Sequence, residues 1–249
     1  MEHSANSLES GLISRSIDYN RAMKISIIGG TGNMGRGLAL RWARAGHDVI
    51  VGSRDEASAA GAAKRLNAKA DLSTISGMGN VEAAAAAELV VLTVPYSNHR
   101  SILAMIRPHL HNKILIDTTA PLNPSKARTV KLPAEGSAGK AAQELLGDEI
   151  YTVSAFQTVA AAHLYDLDHT MDCDVLVCGN DPDARDVVVG LAADAGVRAW
   201  HGGRIDNAIV AEALTSALIF INHRYKIDGA GIRIVGEPGL VRDTDKPEN

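Results

Sequence analysis

From residue 24 onward, short apolar runs alternate with longer stretches in which apolar residues recur at helical spacing. KISII, residues 24–28, is rich in β-branched residues and predicts a strand. Met34, Leu38, Trp42 and Ala45 then fall near a 3.6-residue period, predicting a helix over 33–45 that Gly46-His47 ends. A second apolar strand follows at 48–51. Together these make a βαβ unit of about thirty residues, the length expected of that motif. The alternation continues with alanine-rich helices at 56–66 and 81–87. LVVLTV, residues 89–94, reads as a strand buried on both faces and halted by Pro95. A helix at 97–106 and a strand at 113–117 come next.

Residues 118–137 are rich in Pro, Ser and Gly and predict a long loop, the kind that is functional or mobile in a compact domain. Beyond it the pattern predicts a helix at 138–146, a strand at 150–153, an irregular segment at 154–172 and a strand at 174–178. A helix at 182–195 with Pro182 at its start and a strand at 197–200 follow. Residues 206–225 form a helix too apolar for a surface, expected to bury against a domain junction or a dimer partner. Strand–helix alternation of this kind argues for an α/β fold, a doubly wound parallel sheet with a smaller C-terminal α/β lobe. The expected division is a flexible leader at 1–22, a nucleotide-binding domain at 23–150, a substrate and dimerisation lobe at 151–236 and a flexible tail at 237–249.

Composition narrows the class. The chain has 249 residues, 46% of them hydrophobic but only 4% aromatic, so the core is aliphatic and alanine-packed. The net charge is −4 with no basic run, so no nucleic-acid partner is expected. No segment comes near the ~18 apolar residues of a membrane span, and residues 1–22 lack the apolar core of a secretory signal. Cys173 and Cys178 match neither a zinc pattern nor a disulfide framework and read as reduced thiols. A cytoplasmic enzyme or binding protein fits.

The chemistry sits in the first βα turn. Gly30-Thr31-Gly32-Asn33-Met34-Gly35 matches G-x-G-x-x-G, after a strand and at the start of a helix. The first glycine permits the tight turn, the second admits the pyrophosphate, and the third lets helix pack on strand, as in a Rossmann domain. The second strand ends in Gly52-Ser53-Arg54, and the first acid, Asp55, comes only after the arginine. Arg54 can fork onto a ribose 2′-phosphate and Ser53 can hydrogen-bond it, whereas a carboxylate would repel it. Thr31 could add a hydroxyl. The cofactor is therefore read as NADP(H). The nicotinamide is expected at the exit of the strand at 89–94, by Val94 and Pro95; His99, just beyond, reads either as a contact to the pyrophosphate or nicotinamide side or as a solvent-facing residue early in a helix.

The stretches GGTGNMGRGLALRWARAGHDVIVGSR, TVPYSNH, SAFQTVAAAHL and DCDVLVCGNDPDA resemble the NADPH-dependent coenzyme F420 reductases, over residues 23 to about 236. The resemblance implies direct hydride transfer between nicotinamide C4 and C5 of an 8-hydroxy-5-deazaflavin, by a homodimer. It places cofactor contacts on Thr31, Gly32, Asn33, Met34, Ser53, Arg54, Val94 and Pro95, and the deazaflavin side on 154–162, including Ser154, Gln157, Thr158 and Ala160. The chain departs from the family there: Gln157 stands where histidine is common, and Ala160 where proline is frequent. Gln157 can donate to a ring oxygen but cannot carry charge. A reductase of the same fold acting on a flavin or a small imine or carbonyl is the alternative, and it would need a proton donor such as Tyr96, His99 or Tyr165. A third reading is a non-catalytic NADP(H) sensor.

Hydride transfer between stacked rings requires no nucleophile or acid–base pair, so no catalytic residue is singled out. His109 and His111 lack metal-binding partners, and no metal site is expected. The cluster His163, Asp166, Asp168, His169 and Asp172 is expected to wall the second-substrate cleft, and Asn222, His223 and Arg224 to reach that cleft or a partner subunit.

Overall fold

The computed structural model describes residues 21–123, 125–236 and 238. The leader proposed at 1–22 therefore lies outside the described residues except for Arg21 and Ala22, and the tail at 237–249 except for residue 238. Arg21 pairs with Glu88.

The elements run β1 (Lys24–Ile28), α1 (Asn33–Arg44), β2 (Asp48–Ser53), α2 (Glu56–Ala70), β3 (Ile75–Gly79), α3 (Asn80–Ala86), β4 (Leu89–Leu92), α4 (Tyr96–Ile106) and β5 (Ile114–Asp117). They continue with α5 (Ala138–Leu146), β6 (Tyr151–Ser154), α6 (Ala161–Tyr165), β7 (Asp174–Gly179), α7 (Pro182–Asp194), β8 (Arg198–Gly203) and α8 (Ala208–Tyr225). The strands form one sheet in the order β3-β2-β1-β4-β5-β6-β7-β8. Its first six strands follow the 3-2-1-4-5-6 order of a Rossmann fold. Every pairing is parallel except β6–β7, where the chain reverses into the C-terminal β7-α7-β8 unit.

Alternation within the strands loads both faces. Ile25, Ile27, Val49, Val51 and Val91 face one core with Trp42 and Leu38 of α1. Ile28, Ile50, Val90 and Leu92 face the other, with Ile102, Leu103 and Ile106 of α4. A parallel sheet covered on both sides requires such runs.

Two elements were not expected from the pattern. β3 has the sequence ISGMG, without the β-branched alternation of a strand. A Cβ on Gly77 would lie 2.3–2.4 Å from backbone atoms of Ala59 and Ala60, so a glycine is needed where α2 lies on the sheet. Within the irregular 154–172 segment, residue 154 closes β6 and 161–165 form α6. α6 packs on α1 through Arg41, whose guanidinium donates to the carbonyls of His163, Leu164, Asp166, His169 and Ala195.

By length and composition alone the helix Ile205–Tyr225 could cross a bilayer, contrary to the expectation that no segment comes near that limit. In the fold Ala208, Ala211, Glu212, Ser216 and Leu218 are buried against the rest of the chain. Val210, Phe220 and Tyr225 remain more than half exposed.

Candidate active site

The site lies at the carboxyl ends of the central strands. Register puts Ile28 beside Leu92, Leu92 beside Asp117 and Asp117 beside Ser154, so four strands end in one row. Beyond β1 the glycine turn closes on itself: Gly30 N–H donates to the carbonyls of Ile27 and Gly52 at 3.0 and 2.9 Å. A Cβ on Gly30 would meet the Ile27 carbonyl at 2.6 Å, and one on Gly35 would meet Gly30 Cα at 2.5 Å. Gly32 and Asn33 are exposed, while Thr31 and Met34 are half-buried. Gly32 caps α1 without a side-chain bond, and the first turn carries no acid. The amides at this helix end are thus open to an anion. The geometry fits a pyrophosphate: Gly30 and Gly35 let the turn close tightly on the strand and helix, and Gly32 leaves the exposed helix end without a side chain over its amides.

At the end of β2, Ser53 is buried and Arg54 exposed. Asp55 is turned away from this edge as the cap of α2, accepting from Ala57 and Ser58 amides at 3.2 Å each. The first carboxylate after β2 is occupied by a helix end. Val94 lies over the turn, since a Cβ on Gly29 would come within 2.7 Å of it. Pro95 is exposed and caps α4.

His99 is 3% exposed, and its Nε2 is 2.6 Å from Asp117 Oδ2. The other oxygen, Oδ1, accepts from Thr119 N–H at 3.0 Å. Gln157 joins the same group: its amide nitrogen donates to the Asp117 carbonyl at 2.9 Å and to Ser154 Oγ at 2.8 Å. Donation to a carbonyl fixes which end of the amide is nitrogen. Gln157 Oε1 and Thr119 Oγ1 are buried without a protein partner. Ser154 Oγ lies 3.4 Å from Glu212 Oε1. Glu212, on α8, accepts from Ala138 and Gly139 amides at 2.6 and 2.9 Å and so closes the start of α5.

Gln157 gets there through a turn in which Phe156 adopts φ +72°, a conformation costing a bulky residue about 1–3 kcal/mol. Burial of Phe156 edge-to-face on Trp42, centroids 6.0 Å apart, offsets that strain. Thr158 is buried, and Ala160 lies further on at the start of α6, against Gly229.

The electrostatics follow from burial. Burial pushes the Glu212 carboxyl up to about 7, against the pull of the Gly139 and Ala138 amides. For His99, burial works against the imidazolium, but the Asp117 carboxylate, with Glu212 and Glu135 behind it, raises the ring above its ordinary value. Burial, Glu135 and Glu212 also raise the Tyr96 phenol.

Asp117 and Glu212 were not singled out in the sequence. Asp117 ends a plain apolar strand, and the signal for Glu212 was one carboxylate on an apolar helix face. The other candidates have partners of their own. His163 and His169 stack at 3.9 Å over the Arg41 anchor. Asn222 accepts from Ala230 N–H and holds the chain after α8. Tyr165 lies beneath Lys69 and Arg36, 4.8 and 5.6 Å from its centroid. Among the described residues no group of three metal-binding side chains occurs.

Strand order, glycine turn and β2 edge together define a Rossmann-type oxidoreductase fold. The family described as "NADP oxidoreductase coenzyme F420-dependent" matches residues 24–121. The chain is 40% identical over 220 residues to the F420-dependent NADP reductase of Methanocaldococcus jannaschii, covering 85% of this chain and 98% of that protein. It is 40% identical over 223 residues to the F420-dependent NADP reductase of Methanothermobacter thermautotrophicus, covering 87% of this chain and 96% of that one. The chain belongs to the family of F420-dependent NADP reductases. Among solved structures, a hypothetical protein of Sinorhizobium meliloti shares the fold, with a TM-score of 0.61 at 23% identity over 76% of this chain and 88% of that one.

Proposed function

We propose that this chain is an NADP-dependent oxidoreductase that transfers hydride between NADP(H) and coenzyme F420. The observation that carries the NADP half is the end of β2, where Arg54 is open and Asp55 is committed to capping α2. A 2′-phosphate there meets a guanidinium fork and a serine instead of a carboxylate. The deazaflavin half is supported by relatives that match this chain along nearly their whole length. In this reading Gly30, Thr31, Gly32, Asn33, Met34 and Gly35 hold the pyrophosphate, and Val94, Pro95 and His99 border the nicotinamide. Ser154, Gln157, Thr158 and Ala160 line the second-substrate side. Residues 23–150 serve as the dinucleotide domain and 151–236 as the substrate and dimerisation lobe. The bound cofactors supply the redox chemistry, and the protein aligns the rings within ~3–3.5 Å and excludes water.

A homodimer is supported by the exposed Val210, Phe220 and Tyr225 of α8, which a second copy would cover. Free Cys173 and Cys178 go with a reducing, cytoplasmic setting. The test is an assay of purified protein with NADPH and oxidised F420, following loss of the deazaflavin's visible absorbance, with FMN and FAD in parallel. Bleaching with F420 alone is expected. Tight NADPH binding with no F420 turnover, or turnover of flavins only, would overturn the reading.

A further inference from the structure

Moving a hydride out of a reduced 5-deazaflavin leaves a proton to be placed. The electron pair leaves C5 with its hydrogen for nicotinamide C4, and the ring N–H proton must then go to a base for the oxidised ring to be neutral. Near the strand ends the fold holds one imidazole set up for that task. Asp117 takes the Nε2 hydrogen of His99 at 2.6 Å and is itself held by the Thr119 amide. This fixes the neutral tautomer and leaves the unshared pair on Nδ1. The pairing of a buried carboxylate with an imidazole both orients the ring and stabilises its charged form.

His99 also has a way out to water. With Tyr96, Ser97, Arg100, Glu135 and Leu145 it lines a cleft of about 270 Å³ between α4 and α5, and Ser97 and Arg100 at its mouth are exposed. The groups facing the ring come from every neighbouring element. They are Asp117 of β5, Glu212 of α8, Glu135 of the loop before α5, and Tyr96 of α4, whose ring centroid is 5.7 Å from that of His99; Arg100 of α4 lines the same cleft and acts on Tyr96. Glu212 is tied to the pair through Ser154 and Gln157, which carry no charge.

We propose that His99, oriented by Asp117, accepts the proton released when the reduced deazaflavin is oxidised and hands it to water through the α4/α5 cleft. The proposal rests on the hydride-transfer reading above. The imidazole gains the ring proton at Nδ1 and loses it to water, so the pair is regenerated each turnover. In the opposite direction the same imidazolium supplies the proton.

The test measures kcat and KM for reduced F420 with NADP+ from about pH 5 to 9, a window centred on histidine titration. Wild type should lose kcat on an acidic limb where His99 is already protonated. His99→Gln should lower kcat about 100-fold, abolish that limb, leave the KM for NADP+ within a few-fold, and regain rate on added imidazole. A structural role would lower the rate equally at every pH, with no imidazole rescue, and would overturn the proposal. So would a folded His99→Gln protein with the wild-type profile. Should that variant fail to fold, wild type decides: no solvent deuterium effect on kcat anywhere along the acidic limb overturns it. A wild type inactive with F420 at all pH values would overturn the hydride-transfer reading and this one with it, whereas an active wild type with either of the preceding results overturns this one alone.

Discussion

Glu212 ties the stability of the fold to pH. Its carboxyl is 1% exposed and moves from an ordinary 4.5 to about 7, chiefly through burial. Between those two values the native chain keeps a proton that the unfolded chain releases. Stability therefore falls as pH rises across this window. The contribution is complete below 4.5 and lost above about 7. A shift of this size, at 1.36 kcal/mol per pH unit, corresponds to about 3 kcal/mol. His99, whose ring is also raised, acts in the same direction: its contribution is present below 6.5 and is lost above its folded value. The wild-type curve is thus a sum, and Glu212→Gln isolates one member. Glutamine keeps the shape and an acceptor for the α5 amides but does not titrate. Urea unfolding at about pH 4.5 and pH 8 gives the comparison. Relative to wild type, the variant should gain about 3 kcal/mol on going to the higher pH. With a slope near 3 kcal/mol per molar urea, that is about 1 M in the midpoint. Midpoints of the two proteins that run parallel with pH would refute the argument that Glu212 is held neutral by its surroundings.

Arg54→Ala should raise the KM for NADPH about tenfold to a hundredfold, the value of a charge-assisted contact, and leave NADH unaffected; equal losses with both cofactors would place the guanidinium elsewhere. Gly35→Ala sets a Cβ 2.5 Å from Gly30 Cα, backbone against backbone, and should cost about 1–3 kcal/mol and weaken NADPH binding; an unchanged melting point and affinity would contradict the packing. Arg41→Met strips the donor from five carbonyls, His163, Leu164, Asp166, His169 and Ala195, and should lower stability by about 3 kcal/mol in urea unfolding. Phe220→Glu puts a charge on the 51% exposed ring position of α8 and should halve the mass seen by light scattering; a wild-type monomer would remove the dimer from the account.

Much of this was legible in one dimension because it is local. Hydrophobic period separates strand from helix within a few residues, and the glycine turn and the Ser53-Arg54 edge both belong to one βαβ unit. β3 escaped because its glycines answer to α2, which packs on it, and not to their neighbours in the chain. α6 escaped because a five-residue helix has too few turns to show a period, and its carbonyls are satisfied by Arg41 from another helix.

The polar floor of the site was beyond the sequence for the same reason. His99, Asp117, Gln157 and Glu212 come from α4, β5, the turn after β6 and α8, and no spacing relates them. Gln157 was visible as a departure from the family's histidine, but not that its amide hydrogens are held by Asp117 and Ser154. Sequence alone determined most of the strands and helices, though not β3 or α6, and which dinucleotide the end of β2 suits, since neighbours along the chain set both. Tertiary structure alone decided which carboxylates are buried, which imidazole they orient and where a proton is held. Burial and charge pairing depend on what lies within a few ångströms, and in a parallel sheet those neighbours are far apart in the chain.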